Sequence, residues 1–418
     1  MPVLRSALAL TMLAVCVGAA VAPRLPHRSP GRSDFDVELG ALDAEIASLE
    51  AASGAAQPDA SVRLAYRMYS RAALTGRADD FASLERFVDR LQQNVGPQRD
   101  LVLLRSTLEL RVHRLDAARA QLEGAPALAG DPEAQLIAAD VDLQRGRYES
   151  AHDAYRQAVD RTPSWAALAR LASLTALRGD ATLADDLYAR AADDLTAKQM
   201  RAFAWLAVQR GQLAFVHGRY DDAESHYRLA ERAYSGYWLV DEYLGELRAA
   251  ERRFDDSIAH YQRAIARAPR PDLLQQLGDV YAVMGRTDEA RRWHGQALEG
   301  YLTSARRGEV QFFHHLAGYY ADVTHDGGEA VAWARRDAQL RPSAATDDTL
   351  AWALYVDGQI GEAARFADRA LAAGIVDTHL YYHASTIKAA AGDAAAADRL
   401  TRALHDLNPR YRDFHAHR

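Results

Sequence analysis

The chain is 418 residues long; 49% of its residues are hydrophobic, 26% are charged, and its formal net charge is −7 at pH 7. A chain of this length rarely folds around one hydrophobic core, which favours several domains or an array of stacked repeats. The sequence contains no stripe of basic residues that could neutralise phosphates. Its composition therefore argues against nucleic acid as the main partner.

Residues 1–22 have the pattern of a secretory signal peptide. Arg5 precedes sixteen mostly apolar residues, 7–22, and a basic, Pro-rich stretch follows them. We expect cleavage after Ala19 or Ala20 and an exported protein, either periplasmic or secreted. The alternative is a retained membrane anchor through residues 7–22, although this stretch is shorter than the ~20 residues that span a bilayer comfortably. Cys16, the only cysteine, lies here, so the mature chain would contain no disulfide.

Residues 23–60 combine the Pro-rich linker with one amphipathic helix. Leu39, Leu42, Ile46 and Leu49 recur at helical spacing within the stretch 34–52. This helix belongs to no repeat. We expect it to cover the apolar end of the repeat array that follows, with binding to a partner helix as the alternative.

From residue 99 onward, one frame of residues recurs. In the stretch that begins at Gly146, small and aromatic residues at helical spacing (Tyr148, Ala151, Tyr155) are followed by Pro163. The frame returns every 33 to 40 residues, at the small residues Ala118, Ala151, Ala184, Ala223, Ser257, Ala290, Ala330, Ala363 and Ala397. We count nine units over residues 99–411, with a degenerate tenth unit around residues 76–87.

This frame resembles the tetratricopeptide repeat (TPR), which has a period of about 34 residues and two helices per unit. A leucine and a small residue, such as Leu277 and Gly278, mark the first helix, and the Gly, aromatic, Ala, aromatic, Ala and Pro positions mark the second. The resemblance implies an all-α, right-handed superhelical solenoid over residues 61–414. The last units are also similar to exported bacterial TPR proteins.

Sequence motifs for catalysis are missing. The chain contains no HExxH, G-x-S-x-G, GxxxxGK[ST] or GxGxxG motif and no pair of cysteines. We therefore predict a non-catalytic protein without a cofactor. The TPR resemblance implies a scaffold for protein–protein interaction that binds a peptide or protein segment in a concave groove lined by the first helices.

Carboxylates and aromatic residues dominate the positions that would face this groove, and arginine is nearly absent from them. The pattern predicts a partner that is basic or anchored by aromatic residues. Alternatively, several of the aromatic residues pack between units. The candidate groove residues are Trp205, Glu242, Glu246, Asp272, Asp279, Phe312, His315, Tyr319, Asp322, Asp348, Trp352, Tyr355 and Tyr382.

Histidines offer an alternative function, the binding of a metal or small ligand by the C-terminal units. His379 and His383 lie four residues apart on a predicted helix, and His314, His315 and His325 cluster in sequence. No carboxylate or further ligand has a spacing that would fix the geometry of a site. We therefore predict no metal site.

Overall fold

The computed structural model describes residues 31–52 and 58–414. These residues form 21 α-helices and no β-strand, so the prediction of an all-α solenoid is confirmed. The right-handed sense of the superhelix stays a prediction. Residues 1–22, with the predicted signal peptide or anchor, lie outside the described residues. Within the described part of the chain, no helix has the length and apolarity needed to cross a membrane.

Helix α1, Asp34–Ala52, precedes the repeats. The other twenty helices form ten helix-turn-helix pairs, which we number as units 1 to 10. In chain order the pairs are α2 Pro58–Thr75 and α3 Ala78–Val95; α4 Arg99–Arg111 and α5 Leu115–Glu123; α6 Pro132–Gln144 and α7 Tyr148–Arg161; α8 Trp165–Leu177 and α9 Ala181–Asp193; α10 Met200–Val216 and α11 Tyr220–Ala233; α12 Trp238–Ala250 and α13 Phe254–Arg267; α14 Pro271–Val283 and α15 Thr287–Arg306; α16 Phe313–Asp322 and α17 Gly327–Leu340; α18 Ala344–Val356 and α19 Ile360–Ala372; α20 Thr378–Ala390 and α21 Ala394–Leu407.

Within a unit, the small residue of the first helix receives a ring from the second. A methyl group at Gly211 would overlap the ring of Tyr227, and one at Gly278 would overlap His294. Ala363, a frame residue of α19, is fully buried. Small residues at these positions let the two helices approach closely. The recurring small residues of the sequence are therefore the ones at close contacts between helices.

The superhelix closes on itself. In each of units 1 to 5, a residue in or next to the turn that joins the two helices takes part in a hydrogen bond. Its partner lies in or next to a segment that connects two later units or follows unit 10. We call these five hydrogen bonds the closing contacts: Trp238 Nε1 to Leu74 O (2.9 Å), Val310 N to Val112 O (3.0 Å), Ala344 N to the Tyr148 hydroxyl (3.1 Å), Val376 N to Leu177 O (2.9 Å) and the Tyr220 hydroxyl to Asp413 Oδ2 (3.1 Å). Successive superhelical turns therefore touch, and the interior between them is enclosed.

Gly146 shows how tightly these turns approach one another. Its backbone is left-handed, with φ 71°, and a Cβ atom there would lie 3.0 Å from the Cα atom of Ser343 in the unit 8 to unit 9 linker. Glycine satisfies both requirements, because it adopts positive φ at low cost and has no side chain. Gly146 thus ends a helix, and its lack of a side chain leaves space for the backbone of the next superhelical turn.

Helix α1 makes a contact of the same kind. Its residue Phe35 donates its backbone N–H to the carbonyl of Ser235, 3.1 Å away, in the linker before unit 6. On its other side, Glu45 and Asp43 accept hydrogen bonds from Arg67 and Arg71 of α2. Helix α1 therefore packs against unit 1 and joins it to the next superhelical turn.

The close packing within a unit predicts a position-dependent cost for larger side chains. We expect Ala363→Leu to lower the free energy of unfolding by about 1–3 kcal/mol, because the extra atoms enter a filled contact. Ala372→Leu, at an exposed position of the same helix α19, is the matched control and should have almost no effect. Urea denaturation measures both; equal effects would show that the repeat register is wrong.

The closing contacts predict a cost for removing a single hydroxyl. Tyr148→Phe removes the hydroxyl that accepts a hydrogen bond from the backbone N–H of the buried residue Ala344. Because that N–H then has no acceptor, the free energy of unfolding should fall by about 1–3 kcal/mol. Tyr381→Phe is the control, since the Tyr381 hydroxyl makes no hydrogen bond to any described residue. Denaturation curves that coincide for the two variants would argue against the contact.

Candidate functional site

The thirteen predicted groove residues fall into two groups that differ in solvent exposure. The buried group consists of Trp205, Glu242, Glu246, Asp272, Tyr319 and Asp348. The half-buried group consists of Asp279, Phe312, His315, Asp322, Trp352, Tyr355 and Tyr382. A partner that binds this conformation can contact the second group alone.

Carboxylates in the middle of the predicted groove already have partners within the chain. Arg270 donates from Nε to Asp272 Oδ1 across 3.1 Å. Burial alone would raise the pKa of Asp272, but the Arg270 guanidinium outweighs it and holds that pKa below its usual value. Asp279 contacts His294 Nε2 at 2.9 Å. The charge of Asp272 is therefore not available to attract a ligand.

Arginines from linkers and helix ends lie in the interior, although the predicted groove face contained only residues of the first helices. Arg270 lies in the linker before α14, and Arg341 follows α17 and donates to Asp337 Oδ1 at 2.7 Å. Only residues of the first helices were assigned to the groove face, so side chains from linkers and helix ends were missed. The interior is thus richer in arginine than its helix positions indicated.

The half-buried residues of the last three units lie next to two buried side chains, Asp348 and His383. We call this group the C-terminal cluster: Asp322 of α16, Asp348, Trp352 and Tyr355 of α18, and His379, Tyr382 and His383 of α20. Each of these helices is the first of its unit, so consecutive units place these side chains side by side on the concave face.

Trp352 is at the centre of the C-terminal cluster. Its indole Nε1 donates to Asp322 Oδ1 at 2.9 Å. The His383 ring stacks on it with centroids 4.2 Å apart and an interplanar angle of 10°, and the Tyr355 ring stacks at 5.0 Å. One hydrogen bond and two stacked rings therefore fix the orientation of the indole.

Asp348 provides the third ligand that spacing in the sequence did not reveal. His383 Nδ1 lies 3.1 Å from both carboxylate oxygens of Asp348, and the His379 and His383 ring centroids are 3.9 Å apart. Within residues 31–52 and 58–414, these three form the one group of His, Cys, Asp or Glu side chains with ligand atoms all within 4.8 Å. Spacing in the sequence therefore did not reveal the carboxylate that accompanies the histidine pair, and the absence of a metal site stays a prediction.

The other clustered histidines do not form such a group. His314 Nδ1 contacts Arg341 at 3.4 Å, His315 stacks on Tyr301 at 5.4 Å, and His325 Nδ1 contacts the carbonyl of Ala321 at 3.1 Å. The His314 and His315 rings also contact each other, with centroids 4.1 Å apart, but among the described residues no third ligand joins them in a common site.

Burial changes the protonation of the C-terminal cluster. It lowers the pKa of His383 to about 3 and raises the pKa of Asp348 to about 6. At pH 7 the His383 imidazole is therefore neutral, while Asp348 is mostly ionised. No arginine or lysine of the described chain lies within 4 Å of Asp348, whose carboxylate contacts the neutral His383 imidazole at 3.1 Å.

The nine-unit register and the ten helix pairs together decide the family of the fold. The chain is a TPR-like helical repeat protein. No protein-family model matches it, and no curated protein does.

Several solved structures are similar to the TPR-like chain at low identity. One, of the APC/C hetero-tetramer Cut9–Hcn1, is 17% identical over 84% of this chain, which spans 64% of that chain, with a TM-score of 0.46. Human IFIT1, solved as a dimer with PPP-AAAA, is 12% identical over 97% of this chain and 96% of its own, with a TM-score of 0.46. PilF of Pseudomonas aeruginosa is 20% identical over 50% and 92%, with a TM-score of 0.35. At these values nothing about function follows from the likeness.

The TPR-like superhelix also contains a cavity of about 510 Å³, which lies between units 1 and 2 on one side and unit 7 with its flanking linkers on the other. Arg111 lies in its wall, 3.6 Å above the Phe81 ring, and donates to Gln311 at 3.3 Å. Arg307 of the same wall is paired with Asp79 at 3.1 Å. Phe312 is the one predicted groove residue in this wall, so the cavity is distinct from the C-terminal cluster.

Buried ion pairs in the interior predict a strongly destabilised variant. Asp272→Asn should lower the free energy of unfolding by about 3–5 kcal/mol, because it removes the carboxylate that is hydrogen-bonded to the buried Arg270 charge. Asp288→Asn, which breaks the exposed pair with Arg291, should change it by less than about 0.5 kcal/mol. A small, equal change in both would mean that Asp272 is free to serve a ligand instead.

Proposed function

We propose that the protein is a non-catalytic scaffold that binds a segment of another protein on the C-terminal cluster. The observation that carries this proposal is the row of half-buried aromatic side chains, Trp352, Tyr355 and Tyr382, on the first helices of adjacent units. Such residues combine a large apolar surface with few rotatable bonds, and they dominate the energetics of many protein interfaces.

The chemistry of the surface favours a basic segment with an aromatic anchor. The half-buried carboxylate of Asp322 lies beside the aromatic rings and accepts a hydrogen bond from Trp352, and within the described chain no arginine or lysine is within 4 Å of it. A lysine or arginine of the partner would be attracted by the charge of Asp322 and, at longer range, by that of the buried Asp348. An acidic segment would be repelled, and nucleic acid is disfavoured for the same reason.

We also propose that the scaffold acts outside the cytoplasm, since residues 1–22 have the pattern of a signal peptide. Membrane attachment through residues 7–22 is the alternative. In either form the repeats would lie in an envelope or extracellular space.

The binding proposal is tested with synthetic peptides that pair aromatic with basic residues, against counterparts in which Glu replaces each basic residue. Trp352→Ala should weaken binding of the basic peptides by about 2 kcal/mol or more, roughly 30-fold, if the indole is a central anchor. Binding should also weaken as salt is added, because ions screen the carboxylates.

Trp293→Ala is the matched control for this test. Trp293 is also half-buried but lies on α15, the second helix of its unit, where it contacts Arg292. Circular dichroism must show unchanged helix content in both variants. Peptides that bind the two variants equally well, or that bind better when acidic, would contradict the proposed surface.

The export proposal has its own test. N-terminal sequencing of the protein from the producing cells should give a chain that begins at Ala20 or Val21, because cleavage is expected after Ala19 or Ala20. Recovery of the protein in the cytoplasm with residues 1–22 intact would contradict export. Recovery of the uncleaved chain with the membrane fraction would support the anchor instead.

A further inference from the structure

We propose that Asp348, His379 and His383 bind one divalent transition-metal ion, with Zn²⁺ the best fit to the ligands. The site lies where the first helices of units 9 and 10, α18 and α20, pack together. It goes beyond the binding of a protein segment and does not depend on it.

The geometry of the three side chains is close to that of a metal site. His379 and His383 are four residues apart on α20, so their rings share one face, and Asp348 approaches that face from α18. Ligands of a tetrahedral Zn²⁺ at bond lengths of ~2.0–2.1 Å lie ~3.3 Å apart. The separation between His383 Nδ1 and the Asp348 oxygens is already 3.1 Å. A ligand atom of His379 lies within 4.8 Å of the other two.

A second, independent observation is that Asp348 differs from the other buried aspartates in its partners. The described residues include six buried aspartates, and five of them form an ion pair with an arginine: Asp140 with Arg170, Asp241 with Arg263, Asp272 with Arg270, Asp337 with Arg341 and Asp347 with Arg369. Asp348 has only His383. A buried carboxylate without a compensating cation is costly, and a bound metal ion would remove that cost.

The type of ligand selects the type of metal. Two imidazoles and one carboxylate suit Zn²⁺ and neighbouring transition metals, whereas Ca²⁺ and Mg²⁺ prefer oxygen ligands. The three side chains leave a fourth coordination position for water or for a ligand from a partner. His379 is half-buried while Asp348 and His383 are buried, so an ion would enter from the His379 side.

Neighbouring side chains hold the ligands in place. The His383 ring is stacked on Trp352, and the Trp352 indole is fixed by its hydrogen bond to Asp322. Metal sites commonly depend on such outer contacts to orient their ligands. Little rearrangement of the buried histidine would therefore be needed on binding.

The experiment titrates the full chain with ZnCl₂ alone in a calorimeter, after chelation and dialysis, with MgCl₂ and CaCl₂ as comparison ions. We expect one Zn²⁺ per chain and no measurable heat from the other two ions. Asp348→Asn and His379→Gln should each weaken Zn²⁺ binding by at least about tenfold. His405→Ala removes an exposed histidine outside the cluster and should leave binding unchanged.

A second measurement does not depend on affinity. Co²⁺ in place of Zn²⁺ should give the visible absorption of a four-coordinate site, and that absorption should disappear in His379→Gln. Because His379 is half-buried, this variant should keep its helix content by circular dichroism. Zn²⁺ binding that is absent, or that is the same in the original chain and in a variant with both substitutions, would overturn the proposal. Peptide binding is not part of either measurement, so its failure would leave this result untouched.

Discussion

Contact between successive superhelical turns is the constraint on which the rest of the structure depends. The closing contacts are few, but each one fixes a turn of the first half of the array against a linker of the second half. They are possible because small residues within every unit keep the helices close, and because glycines such as Gly146 leave room between turns. Closure converts much of an open groove into an interior, so side chains that would meet a ligand in an open solenoid meet the chain itself.

Closure also separates the charged residues that stabilise the fold from those available for function. Buried aspartates of the middle units are each paired with an arginine, as Asp272 is with Arg270. The last units differ, since their aromatic residues remain half-buried and Asp348 has no arginine. A protein segment and a metal ion would therefore use adjacent parts of the C-terminal cluster, with Trp352 contacting the first and orienting a ligand of the second.

Features that depend on near neighbours in the chain could be predicted from the sequence. The helix pairs, the absence of strands from the described residues and the shared face of His379 and His383 follow from spacing within one or two helices. Asp348 could not be found in this way, because it meets His383 only where α18 packs on α20. Closure depends on the rotation of each unit relative to the one before it, added up over five units. No pattern within one or two helices specifies that rotation.

Hydrogen exchange at the backbone amides of Val310 and Val376 tests the closed superhelix most directly. Both residues lie in linkers, where an open solenoid would leave their N–H groups in water, but here they donate to the carbonyls of Val112 and Leu177 at 3.0 and 2.9 Å. The closed structure predicts that both amides exchange as slowly as those inside neighbouring helices such as α18. Exchange at the rate of an exposed loop would contradict closure, and with it the division of the groove into an interior and an accessible C-terminal cluster.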